Sequence, residues 1–139
     1  MEESLNKNSL EGKELLGKRI LVADDEEYLR DPIAFYFEDE GCIVESVENG
    51  KLLLEKLETG KFDAVISDNN MPEMNGVEAL RHIRSDSRFK DLPVIIQTGL
   101  GDDNLKKDIE ELGGIYLTKP CAPKEIGEKL KGCFKETAK

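Results

Sequence analysis

The stretch Phe62–Gly76 reads FDAVISDNNMPEMNG. Its first six residues form an apolar, β-branched run too short for a helix and bounded by turn residues, which predicts a strand buried on both faces. Asp68 comes next, so the chain crosses the core and delivers one carboxylate at the strand's carboxyl end. Asn75–Gly76 has the chemistry of a turn and helix cap, and Val77, Leu80 and Ile83 recur beyond it at helical spacing. The unit is strand, acid, turn, helix.

The unit repeats on either side. RILVA (19–23), CIVESV (42–47), LPVIIQT (92–98) and GIYLT (114–118) are four more strand-like runs. Leu29, Ile33 and Phe37, then Leu53 and Leu57, then Leu105, Ile109 and Leu112, then Ile126, Leu130, Cys133 and Phe134 mark four more amphipathic helices. Gly113–Gly114 reads as a helix C-cap. A parallel strand cannot return by a hairpin, so this alternation predicts right-handed crossovers and a sheet covered on both faces. The fold class is α/β, a doubly wound five-stranded parallel sheet. Pro32 falls inside the first helical pattern, where it removes an amide donor. Asp31–Pro32 suits an N-cap and first helical position, so this helix is expected to start late or to have an irregular first turn.

At 139 residues and 38% hydrophobic content, the chain is one domain with a core of ordinary size. Residues 1–17 are polar and weakly patterned and read as a flexible tail or a short extra helix; the domain spans 18–136, and 137–139 form a C-terminal tail. With 30 acidic against 20 basic residues the net charge is -10, which repels phosphate backbones and anionic membranes. Direct nucleic-acid binding is not expected. Cys42, Cys121 and Cys133 are odd in number and lack a CxxC spacing, so they read as reduced thiols in a cytoplasmic protein. No apolar run approaches the roughly 20 residues of a membrane span, and nothing targets or anchors the chain.

In a doubly wound sheet, groups at the carboxyl ends of the strands line one crevice, where ligands bind. The first strand ends in Asp24–Asp25, the third in Asp68, the fourth in Thr98–Gly99 and the fifth in Lys119–Pro120. Three carboxylates held together repel unless a hard cation neutralises them, and oxygen ligands with an open coordination sphere suit magnesium. A carboxylate beside magnesium and a lysine can attack phosphorus, because the cations screen the incoming phosphoryl oxygens and a hydroxyl can receive one afterwards. Asp68 has the place of the nucleophile. Taken singly each residue has a blander reading: Asp24 and Asp25 as cap acids, Thr98 and Tyr116 as strand packing, Lys119 as a solvated cation, His82 as a surface residue. The convergence of Asp24, Asp25, Asp68, Thr98 and Lys119 carries the chemistry, and His82 is assigned none.

LVADDEE, AVISDNNMPEMNG, IIQTG and YLTKP, in this order and each at a strand end, resemble the receiver domain of two-component response regulators over roughly residues 18–136. The resemblance implies a sheet order of 2-1-3-4-5 and a phosphoryl group accepted on Asp68 from a histidine kinase or phosphotransfer protein. It further implies Mg2+ held by Asp25, Asp68 and the backbone carbonyl of Asn70, with Asp24 acting mainly through water. Thr98 matches the hydroxyl that captures a phosphoryl oxygen, Lys119 the catalytic lysine, and Tyr116 the aromatic that changes rotamer on activation. Lys119–Pro120 matches a peptide commonly cis in the family. Cys121 stands where the family often has Phe, and Leu100 occupies a variable position. Asn70 and Leu100 are placed to border the water that hydrolyses the acyl phosphate, with Leu100 expected to shield it.

The implied function is a phosphorelay switch that catalyses only its own phosphorylation and dephosphorylation and signals to a target protein through residues 100–135. Only a few residues follow the last helix, so output is expected through a partner, or through a domain of a larger protein from which the chain derives. Two rivals stand beside it. A haloacid-dehalogenase-type phosphohydrolase wants a second acid two residues after the nucleophile, where this chain has Asn70. A phosphorylation-independent receiver-like module usually lacks the acceptor or the lysine, and both are present.

Overall fold

The structure, a computed structural model, describes residues 13–99 and 103–137. Five strands, β1 (Arg19–Ala23), β2 (Ile43–Val47), β3 (Ala64–Asp68), β4 (Val94–Thr98) and β5 (Ile115–Thr118), pair in parallel in the order β2-β1-β3-β4-β5. Five helices follow them in turn: α1 (Glu27–Asp39), α2 (Gly50–Thr59), α3 (Gly76–Arg84), α4 (Asp103–Glu111) and α5 (Pro123–Thr137), with a 3-10 turn at Ser87–Phe89. Every residue of β3 and of β4 is buried, as a continuous apolar run requires of a strand covered on both faces.

Alternation along the central strands divides the core in two. Leu21, Val65 and Ile96 pack with Leu53, Leu80 and Ile109 on the α2–α3–α4 face. Ile20, Val22, Ile66 and Ile95 pack with Ile33, Phe37, Ile126 and Leu130 on the α1–α5 face. The register then aligns the strand ends: Ala23 lies opposite Ser67, Asp68 opposite Gln97, and Thr98 opposite Thr118. Asp24, Asp68 and Lys119 therefore leave the sheet at one level.

Two expectations change. First, α1 starts at Glu27 and contains Pro32, so the late start is excluded and the irregularity falls within the helix, where Pro32 has no N–H for the Tyr28 carbonyl. Pro32 and Tyr28 both face solvent, and the Tyr28 carbonyl that loses its i+4 donor can bond water, so burial of Ile33 and Phe37 decides the helix. Second, the boundary at residue 18 leaves out part of the packed domain. Leu15 is 1% exposed in the α1–α5 core, its carbonyl accepts from the Cys42 thiol at 3.2 Å, and Gly17 N–H donates to the Gly41 carbonyl. Leu15 is one of four leucines scattered without helical or strand periodicity through residues 1–17, yet it closes the end of the core. Residues 1–12 of the expected tail, and 138 and 139 at the other end, lie outside the described residues; α5 itself reaches Thr137.

Candidate functional site

The loop after β3 is built by its own side chains. Asn75 accepts from Glu78 N–H at 2.9 Å and Glu78 Oε1 accepts from Asn75 N–H at 2.9 Å, a capping box that starts α3. Gly76 is required by proximity: a Cβ there would lie 2.7 Å from the Asp68 carbonyl oxygen. Asn69, which the sequence reading passed over, joins three elements. Its N–H donates to the Gln97 carbonyl, its carbonyl accepts from Gly76 N–H, and its Oδ1 accepts from Val77 N–H at 3.0 Å. An Asn beside an Asp gives no pattern in sequence, because its role is fixed by what β4 and α3 bring to it.

Asp68 is thereby held still at the end of a rigid strand. Its Oδ2 accepts from Asn70 N–H at 3.0 Å, and its Oδ1 lies 2.6 Å from Lys119 Nζ. Lys119 Nζ also stands 3.9 Å from Asp24 Oδ2, and Lys119 N–H donates to the Thr98 carbonyl at 2.7 Å. Lys119–Pro120 is cis, as expected.

Asp24 is 1% exposed and divided in function. Oδ1 accepts from Glu26 N–H at 3.0 Å, a local turn that serves the start of α1, whose N-cap Glu26 makes no side-chain cap bond of its own. Oδ2 is buried with no hydrogen-bond partner. The cap-acid reading thus explains half of this carboxylate and leaves the other half aimed at Asp68 and Lys119. Burial pushes the Asp24 carboxyl above its ordinary range, opposed by the Glu26 hydrogen bond, and the neighbouring Asp68 charge raises it further.

One ligand oxygen from each of Asp24, Asp25 and Asp68 lies within 4.8 Å of the others, Asp25 being exposed and the other two buried. Such a donor set, all oxygen and with one orphaned buried atom, fits a divalent hard cation. Thr98 is buried, and its hydroxyl donates to the Tyr116 hydroxyl at 3.4 Å; Tyr116 is half-buried. Asn70 and Gly99 are exposed at the rim, while Leu100, expected to cover the acceptor, lies outside the described residues. His82 is exposed near the end of α3, away from these groups. Six of the sequence-predicted site residues, Asp24, Asp25, Asp68, Asn70, Thr98 and Lys119, lie at or beside the carboxyl edge of the sheet, and Tyr116, opposite Ile96 within β5, reaches it through its hydroxyl contact with Thr98.

Residues 20–131 match the response regulator receiver domain family. The chain belongs to it. Among its relatives, the phosphate regulon transcriptional regulatory protein PhoB of Pseudomonas aeruginosa is 32% identical over 88% of this chain and 54% of that protein. The chemotaxis protein CheY of the same organism is 31% identical over 84% of this chain and 95% of CheY. The receiver domain of the Francisella response regulator 1452 superposes with a TM-score of 0.80 at 29% identity, covering 87% of this chain and 99% of that one. This receiver domain spans about half the length of the PhoB relatives it matches. No helix among its described residues is long and apolar enough to cross a membrane.

Proposed function

We propose that this receiver domain is a phosphorylation switch of a two-component phosphorelay, with Asp68 the acceptor, Mg2+ the cofactor and a histidine kinase or phosphotransfer protein the donor. The observation that carries the reading is Asp68 held between Asn70 N–H and the Lys119 ammonium, with the orphaned oxygen of Asp24 beside them.

One oxygen of Asp68 attacks phosphorus; the new O–P bond forms as the bond to the donor's nitrogen or acyl oxygen breaks, and the electron pair leaves with the donor. Lys119, already on Asp68, is positioned to pair with a phosphoryl oxygen, and Thr98 can donate its hydroxyl to another. When held by Asp25, Asp68 and the Asn70 carbonyl, with Asp24 acting mainly through water, magnesium would neutralise the carboxylates and screen the incoming oxygens. The fixed N–H of Asn70 and the buried backbone of β3 keep the nucleophile from turning away. The chain acts on itself alone and releases its phosphoryl group by hydrolysis, so it is a signalling component that turns over no separate metabolite.

Thr98 moving toward the phosphoryl oxygens leaves its contact with Tyr116, whose ring can then follow, and the change passes to α4 and β5. Residues 100–135 form the surface offered to a target protein. Timed incubation with acetyl phosphate and magnesium tests the assignment: uptake of one phosphoryl group per chain is expected. Hydrolysis of a phosphate monoester such as p-nitrophenyl phosphate would mark a phosphohydrolase, and no uptake from acetyl phosphate a phosphorylation-independent module.

A further inference from the structure

We propose that the groove between α1 and the β5–α5 turn is a binding site for a small uncharged molecule, apolar in body and carrying an amide-like edge that pairs with the carboxamide of Gln97. The site is separate from the phosphoryl chemistry and stands whether or not Asp68 accepts a group.

Alternation along β4 puts Ile95 and Gln97 on the α1–α5 face and Ile96 on the other. Ile95 is covered by core side chains. Gln97, two residues nearer the strand's end, is 3% exposed and lines the groove instead. Its backbone carbonyl is engaged by Asn69 N–H, but its carboxamide makes no hydrogen bond among the described residues. A buried amide without a partner costs stability, whereas an apolar side chain of similar shape would cost none. Water serves this amide poorly, because the walls beside it are apolar and give a bound water few further partners. Donor and acceptor are therefore both left for a partner from outside the chain.

The groove encloses about 470 Å³, the size of a small-molecule site. Leu29, Pro32 and Ile33 of α1 line it from one side, and Pro120, Cys121 and Pro123 from the other. The prolines have fixed φ, so much of the wall is formed in advance, and the short Cys121 side chain leaves the space between open. Tyr28, 72% exposed, offers a ring at the rim. Among the described residues the charged groups on the wall are Asp24 and Lys119, whose Oδ2 and Nζ lie 3.9 Å apart. An anion there would meet Asp24 and a cation Lys119, so the occupant carries no net charge. A carboxamide presents one acceptor beside its donors, and the edge that pairs with both at once is that of another amide or a lactam.

The test is titration of the full chain, followed by backbone amide shifts, with carbostyril, a bicyclic lactam, and with its N-methyl derivative, which has lost the donor. Carbostyril should shift the wild-type amides within residues 28–33 and 119–123 and at Gln97, and the N-methyl derivative should bind roughly tenfold more weakly, as the loss of a paired hydrogen bond in a buried site implies. Gln97→Leu should bind the two probes alike, at the weaker affinity, and should melt no lower than the wild type, because no bond within the protein is removed. Equal affinity of the two probes for the wild type would overturn the role of Gln97. Shifts centred elsewhere, or none at all, would overturn the site. A Gln97→Leu chain that still prefers carbostyril would do the same, and one that melts lower than the wild type would make the amide a structural group and overturn its assignment to a ligand.

Discussion

Lys119 Nζ lies 2.6 Å from Asp68 Oδ1, so the carboxylate proposed as acceptor is already paired with the ammonium proposed to act on the incoming phosphoryl group. The ammonium is a compact donor on a strand end whose N–H is tied to Thr98, and it bears on the place where negative charge develops. Removing one such donor typically costs a factor of roughly 10²–10³ in rate. Lys119→Ala should slow phosphoryl uptake from acetyl phosphate by about that factor while leaving the fold intact. Uptake at the wild-type rate would exclude Lys119 from the reaction.

Asp24 gives a prediction about stability. Its carboxyl is raised by burial, so at pH values between its unfolded and folded pKa the folded chain binds more protons than the unfolded one, and stability falls as pH rises. That loss is complete in the metal-free protein once the pH stands above the folded-state pKa. Asp24→Asn should therefore raise the metal-free melting midpoint at pH 7, each 1 kcal/mol being worth roughly 4 °C in a domain of this size. Magnesium should stabilise the wild type more than the variant. A midpoint that falls on substitution would show that Asp24 is already compensated.

Leu15 is a structural residue with no part in the chemistry. Its burial at the far end of the α1–α5 core predicts a loss of about 2–5 kcal/mol for Leu15→Ala, with phosphoryl uptake by the folded fraction unchanged. Chemical denaturation measures it. An unchanged midpoint would mean that the segment adds nothing to the core.

The Thr98 hydroxyl donates to that of Tyr116 at 3.4 Å, the contact through which we propose that the site reaches the surface. Thr98→Ala should still accept phosphate at Asp68 yet lose most of the amide-shift response in residues 103–135. A response in the wild type confined to residues 42–60 would contradict this coupling.

What could be read in the sequence followed from local chemistry repeated at one edge. β3 and β4 are continuous apolar runs that end in Asp68 and Thr98, and strand ends in a parallel sheet share a level once the register is set. The fold class and the convergence of Asp24, Asp25, Asp68, Thr98 and Lys119 were legible for that reason, whereas the strand order came from the resemblance to the receiver family. Asn69 was not, because its three bonds go to residues 97, 76 and 77 and depend on tertiary approach. Arg84 was hidden likewise: an Arg at a helix end reads as solvated until Leu112 and Gly113 are folded back onto it. Pro32 misled on the start of α1, since burial of Ile33 and Phe37 outweighs one lost hydrogen bond on an exposed face.

The central claim is that Asp68, held by Asn70 N–H and Lys119, is the phosphoryl acceptor. Intact-mass spectrometry of the wild type and Asp68→Asn after incubation with acetyl phosphate and magnesium tests it most directly. One added phosphoryl group in the wild type, absent from Asp68→Asn and from wild type treated with a chelator, is the predicted result. Equal labelling of Asp68→Asn would contradict it.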